Sequence, residues 1–147
     1  MSNEEIAELY ERDLRKLIEE ITLFENEENL WKTVGSIKNS SGNLALHVIG
    51  GLNFLMGTAL AHTGYVRNRD QEFTDKGIDK KLIVEQLEEL IPLIRQTIIA
   101  LTPAQMESPY PGFFDKENAS ISYVLNQLLM HLNYHLGQVN YLRRALE

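Results

Sequence analysis

Two histidines, His131 and His135, stand four residues apart in a segment whose apolar residues recur with helical spacing. Residues four apart lie on one face of an α-helix, about 5–6 Å between Cβ atoms, so both imidazoles project together. The same face carries Leu128, Leu132 and Val139, a stripe that should be buried, so we expect the pair to point into the protein. Two imidazoles at this spacing can bind one transition metal, as the histidines of H-E-x-x-H do in metalloproteases.

A histidine pair alone does not decide between a metal site and a hydrogen-bonded core pair, because most histidines bind no metal. A third histidine in the same core would favour metal, and His47 is the candidate, since it lies on the apolar stripe of another predicted helix beside Gly50 and Gly51. Glycine inside a helix costs roughly 1 kcal/mol relative to alanine, so these two glycines indicate close helix approach or room for a ligand. The alternative for His47 alone is a core histidine bonded to a carbonyl group.

The composition restricts both the site and the class of protein. There is no cysteine, which excludes disulfides, thiol nucleophiles and thiolate ligands and leaves histidine and carboxylate for any metal. The net charge is −7 and no run of Lys or Arg occurs, which argues against a nucleic-acid surface. No basic segment precedes an apolar run at the N-terminus, and no uninterrupted apolar run reaches about 18 residues. We therefore expect a cytoplasmic protein with neither a secretory signal nor a membrane span.

Helical periodicity without any strand pattern predicts an all-α fold. Four long periodic segments in 147 residues are most simply a four-helix bundle forming a single domain over residues 1–147. Facing helices of such bundles build metal sites from inward side chains, which would bring His47 to His131 and His135. The helices are expected from Asn3 to Phe24, from Gly42 or Asn43 to Ala61, from a cap at Asp79 to Leu101, and from a cap at Ser120 to Ala145.

The two long connections carry further polar and aromatic groups. Residues 62–78 are expected to form a polar loop, in which Arg67 and Arg69 pair with a nearby Asp or Glu or hold an anionic group. Aromatic side chains from Tyr110 to Phe114 would line the mouth of a pocket or make a subunit contact. His62 follows His47 by 15 residues, about 22 Å along a continuing helix, so we exclude His62 from the site.

The second and fourth helices resemble the DinB/YfiT-like superfamily of metalloenzymes, through NLALHVIG at residues 43–50 and HLNYHLGQ at residues 131–138. The resemblance covers essentially the whole chain, and the loop at residues 64–70 (GYVRNRD) looks like a subgroup without an assigned function. Carried over, the metal triad of the superfamily falls on His47, His131 and His135. Many members have an arginine after the last histidine, where this chain has Leu136.

The resemblance also implies a function. The superfamily includes thiol-dependent transferases and isomerases that act with glutathione, mycothiol or bacillithiol, and homodimers are expected. A metal-dependent enzyme is therefore implied, with a divalent transition metal, zinc or nickel first, and a low-molecular-weight thiol as a substrate. Three neutral imidazoles leave coordination positions open, as in catalytic zinc sites, where the pKa of a bound nucleophile falls. The alternative is a non-enzymatic bundle whose histidines bind a structural or adventitious metal, or none.

Residues beside the histidines are candidates to orient the imidazole rings. They are Tyr123, Gln127, Asn133 and Gln138, and the alternative for each is ordinary polarity of a helix surface. No Asp or Glu lies within one turn on the face that carries the histidine pair. The sequence therefore names no general base.

Overall fold

The computed structural model describes residues 1–147 as a chain of helices without strands, which confirms the predicted all-α class. Four long helices contain the four periodic segments, and shorter helical elements lie between them. The elements are α1 (Asn3–Leu23), a 3₁₀ turn (Glu27–Trp31), α2 (Ser41–Ala61), α3 (Arg69–Thr74), α4 (Lys80–Ile99), α5 (Pro103–Glu107) and α6 (Ile121–Leu146).

The helices begin where a side chain can satisfy their first free amides. Ser40 Oγ accepts a hydrogen bond from the Asn43 amide at the start of α2, and Ser120 Oγ accepts one from the Tyr123 amide at the start of α6. Caps of this kind typically contribute about 1 kcal/mol each. The cap at Ser120 was predicted, and the two caps fix the first residue of each helix that carries a site histidine.

Apolar faces of all four long helices meet in one core of 30 buried residues. Helix α1 packs along α4 and α6, while α2 packs against α3 and α6. Tyr10 is completely buried, and its hydroxyl group donates a hydrogen bond to the Leu125 carbonyl oxygen, which ties α1 to α6. Because α2 and α6 are neighbours, the histidine faces of these two helices come together.

Helix α3 lies inside the segment that was predicted to be a loop, and that prediction was wrong. Asn68 Oδ1 caps α3 by accepting from the Gln71 amide. The buried Asn43 of α2 donates from Nδ2 to the carbonyl oxygens of Glu72 and Asp75, at 2.9 Å and 2.8 Å. A six-residue helix is too short to be stable on its own, so this docking on α2 holds α3 in place.

Helix α2 departs from regular α geometry over Asn53–Thr58, where the backbone forms a π-helical turn. Such turns often occur at functional sites, and this one follows Gly51 and Leu52, which face the cavity described below. By length and composition, the Ser41–Ala61 helix is apolar enough to cross a membrane. Its buried face belongs to the core, and 44% of the apolar window is buried inside the protein.

Candidate metal centre

Three imidazole rings converge where α2 faces α6. His131 Nε2 lies 3.1 Å from His47 Nε2 and 2.9 Å from His135 Nε2. Ring nitrogens of all three residues lie within 4.8 Å of one another. The structure therefore brings together the three histidines that the sequence nominated. The remaining histidine, His62, follows the last residue of α2 and lies outside this cluster.

A buried carboxylate lies behind His47. Glu72 is only 6% exposed, and its Oε1 accepts a hydrogen bond from His47 Nδ1 at 3.0 Å. Arg67 holds both oxygens of the same carboxylate with one edge of its guanidinium group, Nε to Oε2 at 2.8 Å and Nη2 to Oε1 at 2.9 Å. The expected pairing of Arg67 with a nearby acidic residue is thus present. It also fixes the orientation of the His47 ring, as an outer carboxylate does in histidine metal sites.

Gly50 makes room for this carboxylate. A Cβ atom at Gly50 would lie 2.0 Å from Glu72 Oε2, which no real contact allows. A Cβ atom at Gly51 would lie 3.5 Å from Arg67 Nη2, an ordinary contact distance. Of the two glycines, Gly50 is therefore required by the outer carboxylate, while Gly51 lines the cavity and could accept a Cβ atom against Arg67.

His135 is oriented from within its own helix. Its Nδ1 donates a hydrogen bond to Gln138 Oε1 at 2.7 Å. A carboxylate oxygen and an amide oxygen can only accept, so His47 and His135 both carry their hydrogen on Nδ1. Their Nε2 lone pairs consequently point at His131 Nε2.

The donor set fits a cation. His131 Nε2 can carry one hydrogen at most, so one of the two short nitrogen–nitrogen contacts with His47 and His135 would bring two lone pairs together. A cation among the three nitrogens removes this conflict, because each lone pair then becomes a ligand. Tetrahedral zinc with nitrogen ligands at 2.0–2.1 Å places those ligands roughly 3.3 Å apart, and the contacts here are slightly shorter. Imidazole donors suit zinc, nickel, copper or iron better than magnesium or calcium.

A cavity of about 630 Å³ opens beside His47 and His131. Its wall is largely apolar, and its polar lining includes Arg67 and Arg69. His135 is 8% exposed and contacts the core, whereas His131 is exposed. The expectation that both α6 histidines point into the protein is therefore right for His135 and wrong for His131, because the cavity keeps that side of the site open to solvent.

A family model described as "Protein of unknown function (DUF1572)" matches residues 3–147. The chain belongs to this family. The DUF1572 match includes the three histidines and the Arg67–Glu72 pair. No curated protein and no solved structure matches the chain.

The imidazoles of this DUF1572 protein are neutral at neutral pH, the state in which imidazole binds metal. Burial, followed by the neighbouring His135 and His47 rings, lowers the pKa of His131 to about 4. The outer edge of His131 is exposed, but its Nε2 lies between the other two rings. Burial also lowers the pKa of His135, and it lowers the pKa of His47 although the hydrogen bond that His47 donates to Glu72 acts to raise it.

The four residues of the DUF1572 chain that were candidates to orient the imidazole rings make different contacts. Only Gln138 contacts a histidine of the cluster. Asn133 instead donates to Asp13 Oδ2 at 3.0 Å and thereby joins α6 to α1. Gln127 lines the cavity, and Tyr123 packs against the aromatic loop before α6.

The sequence analysis missed Glu72, the only carboxylate in contact with the histidine cluster. The sequence does contain a signal for a helix here. Asn68 stands three residues before Gln71, the spacing of a capping residue, and Asp70 and Glu72 lie in the first turn of α3. A capping residue followed by acidic residues is typical of a helix start. This pattern predicts α3, but it does not predict which ring the Glu72 carboxylate would meet.

Proposed function

We propose that this chain is a cytoplasmic metal-dependent enzyme with the DinB/YfiT-like four-helix-bundle fold, in which His47, His131 and His135 bind a divalent transition metal, zinc or nickel first. We propose further that it transfers a low-molecular-weight thiol to a second substrate. The convergence of three Nε2 atoms on one point carries the proposal. The sequence resemblance supplies the reaction class.

The residues of the chain prepare the site for this chemistry. Glu72 and Gln138 hold the His47 and His135 rings with their Nε2 lone pairs inward, and this preorganisation supports metal affinity. A metal held by these three histidines would supply an open coordination position and would lower the pKa of a thiol bound there, so that the proton could be released to solvent at neutral pH. The largely apolar cavity wall would hold an apolar substrate beside a thiolate at His47 and His131. The sulfur then forms a bond to an electrophilic carbon as a leaving group departs.

One observation favours the alternative, a non-enzymatic protein with a structural or adventitious metal. The single carboxylate at the cluster, Glu72, lies on the outer side of His47 and is already bound by Arg67. No side chain in contact with the cluster is therefore free to act as a general base. The enzyme must rely on the metal alone to ionise the thiol, whereas a structural site has no such requirement.

Metal analysis of protein purified without a histidine tag tests the site. We expect about one equivalent of zinc or nickel per chain after dialysis, and its loss in His47→Ala, His131→Ala and His135→Ala. His62→Ala is the control and should keep its metal. Metal-free wild-type protein, or full retention in all three variants, would reject the site.

Cobalt substitution tests the thiol chemistry and separates the two candidates. Glutathione or cysteine binding through sulfur should produce a charge-transfer band in wild-type cobalt protein. Gly51 lines the cavity, and a Cβ atom there would meet Arg67 Nη2 at an ordinary contact distance of 3.5 Å, so Gly51→Leu should fill the cavity and abolish the band while metal and fold are retained. Absence of the band in wild type with every common cellular thiol would reject the transferase and favour the structural metal.

We also propose a homodimer, on the resemblance and on the loop from Tyr110 to Phe114. Tyr110 is buried and donates its hydroxyl hydrogen to the Leu55 carbonyl oxygen, so it supports the fold and not an interface. Phe113 is 87% exposed and is the aromatic group available for a subunit contact. Sedimentation should show a dimer at micromolar concentration, and a monomer throughout that range would reject it.

A further inference from the structure

We propose that the cavity beside the three histidines binds a small amphipathic carboxylate, an apolar body with a single carboxylate group that pairs with Arg69. This inference rests on the proposed function, because it names the class of the second substrate for the same site. It follows from the lining of the cavity and from the pairing of its charges.

The apolar lining indicates an apolar ligand body. The wall includes large side chains from α2, from α6 and from the loop before α6. Two of these side chains remain exposed, Phe54 at 40% and Phe113 at 87%. Covering such surface stabilises a complex in proportion to the apolar area buried. A cavity of about 630 Å³ falls in the range of small-molecule sites. The apolar lining consists of Val48, Leu52, Phe54, Leu55, Phe113, Phe114, Leu128 and Leu132.

The charges of the lining indicate one anionic group. Arg67 and Arg69 are its two guanidinium groups, and Arg67 is neutralised by Glu72 through Nε and Nη2. Arg69 forms no ion pair. Its contact is with the Phe73 ring, 5.4 Å from the guanidinium carbon to the ring centroid. Arg69 therefore adds to the lining a positive charge that no carboxylate of the protein pairs with.

A carboxylate suits this guanidinium group better than a doubly charged phosphate does. The planar fork of arginine pairs with both oxygens of a carboxylate. Asp115 contributes a negative charge to the same cavity wall, and like charges brought together across a binding interface are unfavourable. A ligand with one negative charge satisfies Arg69 without placing a second charge against Asp115.

Calorimetric titrations into the full-length protein with one equivalent of zinc test the carboxylate and the apolar body separately. The ligands are octanoate, octanamide and butyrate. Octanamide has the same chain as octanoate without the charge, and we expect octanoate to bind roughly tenfold more tightly. Butyrate has the same charge with four fewer methylene groups. Each buried methylene is worth about fourfold in affinity, so butyrate should bind more than tenfold more weakly than octanoate.

Variants assign the preference for the anion to Arg69. Arg69→Gln should bind octanoate and octanamide equally, and Arg69→Lys should retain part of the preference because it keeps the charge. Arg15→Gln is the matched control, since Arg15 is exposed on α1 and pairs only with Glu11, and it should behave as wild type. Equal binding of octanoate and octanamide by wild type overturns the inference, as does butyrate binding as tightly as octanoate. An unreduced preference in Arg69→Gln also overturns it, because the carboxylate would then be bound by the metal.

His135→Ala distinguishes this inference from the proposed function, because His135 does not line the cavity. We expect this variant to lose zinc and still prefer octanoate over octanamide. If wild type binds zinc and shows no such preference, the ligand class is wrong and the metal site stands. If wild type binds no zinc yet shows a preference that Arg69→Gln abolishes, the metal function is wrong and the ligand class stands.

Discussion

The two halves of the histidine cluster are built in different ways. On the α2 side, His47 is oriented by a buried ion pair, Glu72 with Arg67, that comes from another part of the chain. On the α6 side, His135 is oriented by Gln138, a neutral and exposed residue one turn further along the same helix. His131 lies between them, and its Nδ1 has no hydrogen-bond partner in the protein.

This difference shows how much of a site depends on tertiary structure. The α6 half requires only a regular helix, because His131, His135 and Gln138 share a face by their spacing. The α2 half requires α3 to dock through Asn43 and requires Gly50 to leave space for the carboxylate. We therefore expect substitutions in the α2 half to have larger effects than equivalent substitutions in the α6 half.

The largest expected effect is on stability, from Gly50→Ala. Alanine is normally the better helix former by about 1 kcal/mol, but here its Cβ would displace Glu72 from Arg67 and His47. Breaking a buried ion pair costs about 3–5 kcal/mol, so the free energy of unfolding should fall by roughly 2–4 kcal/mol. Urea denaturation measures this change.

Gly51→Ala is the control for that experiment. Its Cβ meets only Arg67 Nη2 at 3.5 Å, so its stability should equal or slightly exceed that of wild type. Equal stabilities for the two alanine variants would show that the carboxylate does not depend on Gly50.

The next effect is on metal affinity, and it compares the two outer partners directly. Glu72→Gln keeps the shape of the side chain but removes the charge that Arg67 and His47 share. Loss of such a partner typically lowers metal affinity by about 10–100-fold. Gln138→Ala removes a neutral group at an exposed position where water can replace it, so the loss should be severalfold at most. Competition with a chromogenic chelator measures both, and a larger loss in Gln138→Ala would reverse the comparison.

The long helices and the three histidines of the site could be predicted from the sequence. Helical periodicity, together with capping at Asp79 and Ser120, predicts the long helices because those signals are local. The same periodicity predicts His131 and His135 as a pair, and it nominates His47 because His47 lies among apolar residues.

Glu72 could not be assigned from the sequence in the same way. Its position depends on contacts between residues that are far apart, chiefly the bonds from Asn43 Nδ2 to α3, 29 and 32 residues away. A polar segment of 17 residues between two helices has the composition of a loop. The exposure of His131 was likewise missed, because periodicity describes one helix and does not show where a neighbouring wall opens into a cavity.

A smaller effect is expected from pH, and it concerns His131, the ring without an outer partner. Its pKa in the folded protein is lowered from 6.5 to about 4. Below pH 6.5, the unfolded chain therefore takes up a proton that the folded chain does not, and unfolding is favoured. The melting temperature of metal-free wild type should fall as pH decreases from 6.5 towards 4. His131→Ala should show a weaker fall over that window, and an identical fall in both proteins would contradict the assignment.

The smallest effect on the metal site is expected from Asn133→Ala. Asn133 donates to Asp13, which is buried on α1, and does not contact the histidines. Losing this hydrogen bond to a buried carboxylate should cost about 1.5–3 kcal/mol of stability and leave metal affinity within experimental error. A marked loss of metal would mean that the α1–α6 contact supports the site from a distance.

The separation of His47 and His131 by 84 residues has a consequence for the lifetime of the fold. A cation bound by both rings would act as a reversible cross-link that closes most of the chain into a loop. In the chain-entropy treatment of cross-links, a loop of this length corresponds to about 4–5 kcal/mol. Such a link forms only after α2 and α6 have come together, and it must break before they separate. Unfolding in urea should therefore be slow in the metal-loaded protein and become faster once a chelator has removed the cation.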